Sequence, residues 1–286
     1  MDEAIYDAAR AFVYRDARVL ERRLFAALFE GVSPTGVIDA LRGYRNADGG
    51  FGHGLEPDKR CPASQPLDVE VAFDTLAAAG AVDRSLVREA CDYLASVADA
   101  DGAVPLATPA IEDYPHAEHW GDWAYVPGLN PTAGLAGLLH RLDVTHPWVD
   151  AATAYCWAAL DDGLPEEAHA LKEVCVFLEH VPDRSRAEAL MPAVANALPR
   201  ASWFRADPDA ASYGVTPLHV ATEPTSLWRA WFGDDLIAGH LERLRRDQQP
   251  DGGWALTWEP PSNAATLDYR GVETLRALRV LRAYDR

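Results

Sequence analysis

Apolar residues recur along this chain at spacings of three and four, the mark of amphipathic helices. In the first segment Ile5, Ala8, Ala9, Phe12, Val13, Leu20, Leu24, Phe25 and Leu28 keep a period of about 3.6 and form one apolar stripe. The same spacing predicts helices over 36–44, 66–79, 85–98, 131–142, 147–160, 165–180, 184–198, 224–232, 234–246 and 267–284. Alternating runs of Val, Ile or Thr bounded by turns, which would mark strands, do not occur. The chain reads as all-α, a single domain over 1–286, with Gly- and Pro-rich loops between helices.

Three turns share a form: Asn46-Ala47-Asp48-Gly49-Gly50-Phe51, Ala100-Asp101-Gly102-Ala103-Val104 and Pro250-Asp251-Gly252-Gly253-Trp254. Each follows a predicted helix, and helices along the chain open alike with proline after a polar residue, at Gln65-Pro66 and Asn130-Pro131 after the first two turns and at Glu223-Pro224. Proline suits a first helical turn because its missing N–H would be unbonded there anyway, and the polar residue before it is placed to cap. Helix, Asp-Gly turn, loop and proline-started helix thus form a repeating unit, giving about five or six helical hairpins. The stretch from Pro147 to Arg205 carries no recognisable copy of the turn.

Gln248-Gln249-Pro250-Asp251-Gly252-Gly253-Trp254 fits Gln-x-x-x-Gly-x-Trp, and the segment from Leu241 to Tyr284 resembles the closing QW repeat of squalene and terpenoid cyclases and of protein prenyltransferase β subunits. Arg45 to Phe51 looks like a second copy, with Arg in the Gln position and Phe in the Trp position. The resemblance implies an α/α toroid, in which Gln and Trp tie helix ends to the turn. Elementary packing points the same way. A hairpin cannot bury its apolar face alone, and a stack closed into a ring leaves no exposed end. An open solenoid or an irregular bundle is the alternative.

Charge removes several functions. With 26 Lys+Arg against 44 Asp+Glu the formal net charge is −18. A nucleic-acid binder needs a basic patch, and an anionic surface is repelled by acidic membranes. No stretch approaches the ~20 apolar residues of a membrane span, and Met1-Asp2-Glu3-Ala4 is acidic where a secretory signal would be basic. Cys61, Cys91, Cys156 and Cys175 are scattered, as free thiols of a cytoplasmic protein would be. Lys59 and Lys172 are the only lysines, a bias read as one of composition.

In a toroid the rim loops and first turns of the inner helices face the central cavity, and three such regions carry candidate chemistry. The first runs from Asp48 to Glu70, where Glu56, Asp58, Asp68 and Glu70 could share a cavity that raises one pKa, with Phe51 and His53 beside them. The bland reading has these carboxylates capping helices or pairing with Lys59 and Arg60. The second holds His116, His119, Trp120 and Trp123, imidazoles that titrate near neutrality beside ring faces suited to cations or sugars. Its His-x-x-His lacks the partners of a zinc site, so neither metal nor cofactor is expected. The third holds Trp258, Asp268 and Tyr269, with Asp268 at the helix position that matches Asp68.

The chain departs from the family in the residues that carry its chemistry. Asp-x-Asp-Asp of the proton-initiated cyclases is missing, and Asp161-Asp162-Gly163-Leu164-Pro165 has proline where the diphosphate-ionising motif needs Asp. Cys91-Asp92 is not the Asp-x-Cys arrangement of the zinc prenyltransferases. The resemblance therefore implies a scaffold and leaves the reaction open. One expectation is a cyclase-like enzyme acting by carboxylate and His acid–base chemistry on a neutral, isoprenoid-like small molecule. Glu56, Asp58 or Asp68 would be the acid, His53, His116 or His119 the base, and Trp120, Trp123 and Trp258 the ring faces. The alternatives are a carbohydrate-active α/α barrel and a non-catalytic small-molecule-binding cup. No nucleic acid or membrane insertion is expected, and the oligomeric state is open.

Overall fold

The computed structural model describes residues 2–285 and is all-helical. The helices are α1 (Glu3–Asp16), α2 (Val19–Phe29), α3 (Thr35–Leu41), α4 (Pro66–Ala79), α5 (Arg84–Val97) and α6 (Leu129–Arg141). They continue with α7 (Pro147–Asp162), α8 (Ala168–His180), α9 (Arg184–Ala197), α10 (Pro217–Val220), α11 (Asp234–Arg246) and α12 (Asn263–Tyr284). Among the described residues, extended pairing is limited to isolated bridges. No described helix is long and apolar enough to cross a membrane.

Local chemistry sets most boundaries. Asp2 caps α1, accepting from Ala4 N at 2.8 Å, and Asp83 and Glu167 do the same for α5 and α8. Pro66 and Pro147 occupy first turns, and Gly80 ends α4 in the left-handed region at φ 61°. The first apolar stripe is two helices rather than one. Ala17 and Arg18 are extended, which turns the Arg18 guanidinium onto Glu21 and the carbonyls of Gly54 and Leu55. The break keeps the 3.6 phase, so periodicity alone does not register it. The expected helix over 224–232 is replaced by a single 3-10 turn, Arg229–Trp231, beside the buried Trp228. The proline-started helix of that unit is the short α10, capped by Thr216 and His219.

The helices fall into two alternating sets. Helix α2 packs on α4, α4 on α6, α6 on α8, α8 on α10, and α12 on α2. The odd-numbered helices pack against them, α3 against α2 and α4, α7 against α6, and α9 against α8. One apolar core runs from Ala9 on α1 to Leu281 on α12, with all four cysteines buried as free thiols. A smaller cluster of Cys61, Leu106, Ala107, Ile111 and Ala124 lies beneath the loop before α6.

The three Asp-Gly turns do one structural job. Gly49, Gly102 and Gly252 take φ of 89°, 92° and 96°, and a Cβ on them would collide with Glu89 on α5, Ala151 on α7 and Ala8 on α1 respectively. Each turn is thereby pressed against the outer helix of the following unit, and the last against the first helix of the chain. Gln248 Nε2 donates to Ile5 O at 2.9 Å and Trp254 Nε1 to Leu244 O at 2.8 Å, so this Gln and Trp do tie helix ends to the turn.

Candidate active site

The loops that precede α4, α6 and α12 meet at the N-terminal ends of those helices. Arg60 N donates to Pro115 O and Ala117 N to Asp58 O, each at 2.9 Å, while Arg60 Nη1 reaches Asp268 Oδ2 at 2.7 Å. This interlock buries a charged cluster. Lys59 Nζ lies 2.9 Å from both Glu56 Oε2 and Asp68 Oδ2, and its ammonium sits 5.3 Å from the centre of the Trp120 ring. Burial disfavours the Lys59 cation, but the two carboxylates outweigh it and raise its pKa. Asp68 is pushed above the usual carboxylate range because burial outweighs its bonds to Lys59.

Asp58 is in a different state from its neighbours. Its side chain is 5% exposed; Oδ2 accepts the indole N–H of Trp258 at 2.9 Å, while Oδ1 is buried with no hydrogen-bond partner. Burial and, second, the charge of Glu56 push its pKa up to about 8, outweighing the Trp258 bond and Lys59. At neutral pH it is a protonated acid. His119 Nε2 stands 3.7 Å from Asp58 Oδ2 with half of its side chain in solvent. Burial lowers the His119 pKa, leaving a neutral imidazole, so Asp58 and His119 together hold one proton near pH 7.

Aromatic faces surround the pair. Trp123 is 56% exposed and lies over Trp120 at an interplanar angle of 6°. Trp258 meets Tyr269 edge-on at 4.8 Å and Tyr213 at 5.3 Å, and it borders an open hollow of about 590 Å³ shared with Glu259, Thr266 and Arg270. Burial raises the Tyr269 pKa, with Glu56 and Asp58 adding to it.

The sequence candidates thus separate. Glu56, Asp58, Asp68, His119, Trp120, Trp258 and Tyr269 come together, with Trp123 on the outer side of Trp120. Glu56 and Asp68 are committed to Lys59, as the bland reading had it, and Asp268 to Arg60. His53 is exposed and bonds Asn46 at the first Asp-Gly turn, and His116 bonds its own loop at Tyr114 O. Phe51 is fully buried in the core. Glu70 belongs to a second cluster deeper between α4, α6 and α8. Its carboxyl faces that of Glu173 at Gly134, and Glu173 Oε1 is 2.9 Å from Lys172 Nζ. Gly134 makes room for the two carboxyls, since a Cβ there would collide with both.

Sequence reasoning missed three kinds of residue. Both lysines sit in these clusters, Lys59 on Glu56 and Asp68 and Lys172 on Glu173. The 147–205 stretch, silent in the repeat pattern, supplies Glu167, His169, Lys172 and Glu173. Tyr213 comes from an irregular loop that no periodicity marks.

No protein-family model matches the chain, and no curated protein matches it either. Among solved structures, a crystal structure of a protein from Actinoplanes is similar at a TM-score of 0.58 and 18% identity, over 98% of this chain and 99% of that one. A likeness at that identity speaks for the fold alone.

Proposed function

We propose that this chain is an acid–base enzyme on an α/α toroid, in which neutral Asp58 and His119 deliver a proton to an uncharged small molecule resting on the Trp120, Trp123 and Trp258 rings. The toroid is supported by the series of helix contacts from α2 to α10, by α12 packing on both α1 and α2, and by the last turn packing on the first helix. The catalytic reading is carried by one observation: a buried carboxyl, held neutral, with one oxygen unpartnered and the other 3.7 Å from a half-exposed imidazole. Buried Asp58 supplies the proton and His119, reachable from solvent, passes it on. The reaction class is isomerisation, cyclisation or dehydration, which needs proton movement and no co-reactant. Two carboxylates on one lysine leave the cluster with an excess of negative charge, which disfavours an anionic substrate such as a diphosphate.

The carbohydrate reading is favoured by a second observation. Trp123 and Trp203 are 56% and 51% exposed, open ring faces of the kind on which sugars stack. Turnover of isoprenoid and oligosaccharide panels in D2O, followed by mass spectrometry, separates the two readings. Deuterium appears in the product wherever the enzyme supplies the proton. Asp58→Asn and His119→Asn should each lower turnover at least a hundredfold; full turnover in both removes the proposal.

A further inference from the structure

We infer that Tyr213, held by His169 and Glu167, is a second proton-transfer group of this face: a base-assisted phenol that takes a proton from the substrate beside Trp258. The inference rests on the reading of this face as a proton-transfer site.

The three side chains form a chain of hydrogen bonds. Glu167, at the N-cap of α8, binds His169 Nδ1, and His169 Nε2 lies 2.8 Å from the Tyr213 hydroxyl. Burial opposes ionisation of Glu167, but bonds from the His169 ring and from the His169 and Ala170 N–H groups prevail, so it stays a carboxylate. A carboxylate on Nδ1 fixes the tautomer: Nδ1 carries the proton and Nε2 is left as the acceptor for the phenol. The His169 and Tyr213 rings also stack at 5.5 Å, 15° from parallel, so the imidazole cannot swing away freely.

The backbone holds the phenol in place. Trp203 has φ 64°, a costly conformation for a bulky side chain. Val215 N donates to Trp203 O and Arg205 N to Val215 O, each at 2.8 Å, and a Cβ on Gly214 would collide with Trp203 O. The strained loop turns Trp203 outward and sets Tyr213 between His169 and Trp258. The indole of Trp258 then has Tyr213 at its edge, 5.3 Å away, and Asp58 at its N–H.

The charged groups facing Tyr213 explain why it needs a helper. Burial raises its pKa to about 12; Lys172 eases ionisation, while Glu273, Asp58 and Glu167 oppose it. The phenol is therefore protonated at neutral pH and becomes a base only by passing its own proton on. In one step a substrate C–H or O–H proton moves to the Tyr213 oxygen, and the phenolic proton moves to His169 Nε2. The imidazolium so formed is paired with Glu167, and the electron pair of the broken bond stays on the substrate. A proton given by Asp58 and His119 elsewhere on the same molecule balances the charge, which makes the reaction an isomerisation.

An arylsulfonyl fluoride, 4-toluenesulfonyl fluoride, tests the activated phenol on the protein alone. Its sulfur accepts the Tyr213 oxygen, fluoride leaves, and the phenolic proton passes to His169. Peptide mass spectrometry should find Tyr213 labelled at least tenfold faster than Tyr114, although the two are 36% and 39% exposed. His169→Asn should remove that advantage, and the residual rate should then climb about tenfold per pH unit, as a free phenolate requires. Nitrogen-15 NMR of the wild-type protein should show His169 protonated on Nδ1. Equal labelling of Tyr213 and Tyr114, an unchanged rate in His169→Asn, or a proton on Nε2 would overturn the assignment. The readout uses no substrate, so it stands or falls apart from turnover and from the role of Asp58.

Discussion

The indole N–H of Trp258 donates to Asp58 Oδ2 at 2.9 Å and so joins the loop before α12 to the loop before α4. This bond is the main favourable contact of the Asp58 carboxylate, ahead of Lys59, and it holds the pKa of Asp58 below where burial and Glu56 alone would set it.

Trp258→Phe keeps the ring but deletes that donor. The Asp58 pKa should move further up, and the alkaline limb of any activity profile that depends on the Asp58 proton should move up with it. Carbon-13 NMR of the Asp58 carboxyl reads the shift directly. A titration unchanged or moved downward would show that the indole does not set the proton affinity. The lost bond should also lower stability by about 1 kcal/mol.

Asp58→Asn separates the charge from the shape. In the folded protein Asp58 keeps its proton up to about pH 8, whereas the unfolded chain releases it near the usual 3.8. Between those values the folded state binds more protons, so its stability falls as pH rises, by up to about 1.4 kcal/mol per unit from this group. Asparagine is uncharged throughout and still offers an oxygen to Trp258. Urea unfolding at pH 5, 7 and 9 should show the wild type losing ground to the variant up to pH 8 and no further above it. A constant difference would mean that Asp58 ionises normally.

The second cluster gives a contrast between two isosteric changes. Burial and the nearby Glu173 hold the Glu70 pKa well above the carboxylate range, so Glu70→Gln replaces a neutral acid by a neutral amide. It should cost under about 1 kcal/mol at pH 7. Glu173→Gln instead takes away the 2.9 Å partner of Lys172. Loss of a buried partner costs 3–5 kcal/mol, and because the Lys172 side chain is one-third exposed we expect about 2. Denaturation midpoints of the two variants decide it, and equal costs would contradict the charge assignment.

Much of this architecture is legible in the sequence, for a physical reason. Periodicity reports burial of a helix face, and α4 and α11 appear with their ends because Pro66, Gly80 and Asp234 punctuate them. The cluster at Glu56, Asp58 and Asp68 was also visible, as carboxylates crowded into a loop and a helix start. Which of them keeps its proton at neutral pH is not legible there. That depends on Lys59 reaching two carboxylates and leaving Asp58 without a cation, which is a matter of distance rather than order. Tyr213 and His169 were invisible for the same reason. They lie 44 residues apart, on a loop and a helix start that only the fold brings into contact.

Closure of the chain on itself rests on the contact between Gly252 and α1. Gly252 has φ 96° and sits where a Cβ would strike the backbone of Ala8. Gly252→Ala therefore suffers twice, from the left-handed backbone and from the collision, and should cost at least 2 kcal/mol by the usual scale of such strain. Gly43→Ala is the control, since nothing lies within 4 Å of its added methyl and its backbone is not left-handed. Because Ile5 O also takes the Gln248 amide at 2.9 Å, the damage should spread along α1. Hydrogen exchange should quicken in residues 3–16 of Gly252→Ala and remain as in the wild type around α7, which this turn does not touch. If Gly252→Ala behaves like Gly43→Ala, this turn does not lock the first and last units together, and the join of the chain's two ends rests on α12 against α1 and α2 alone.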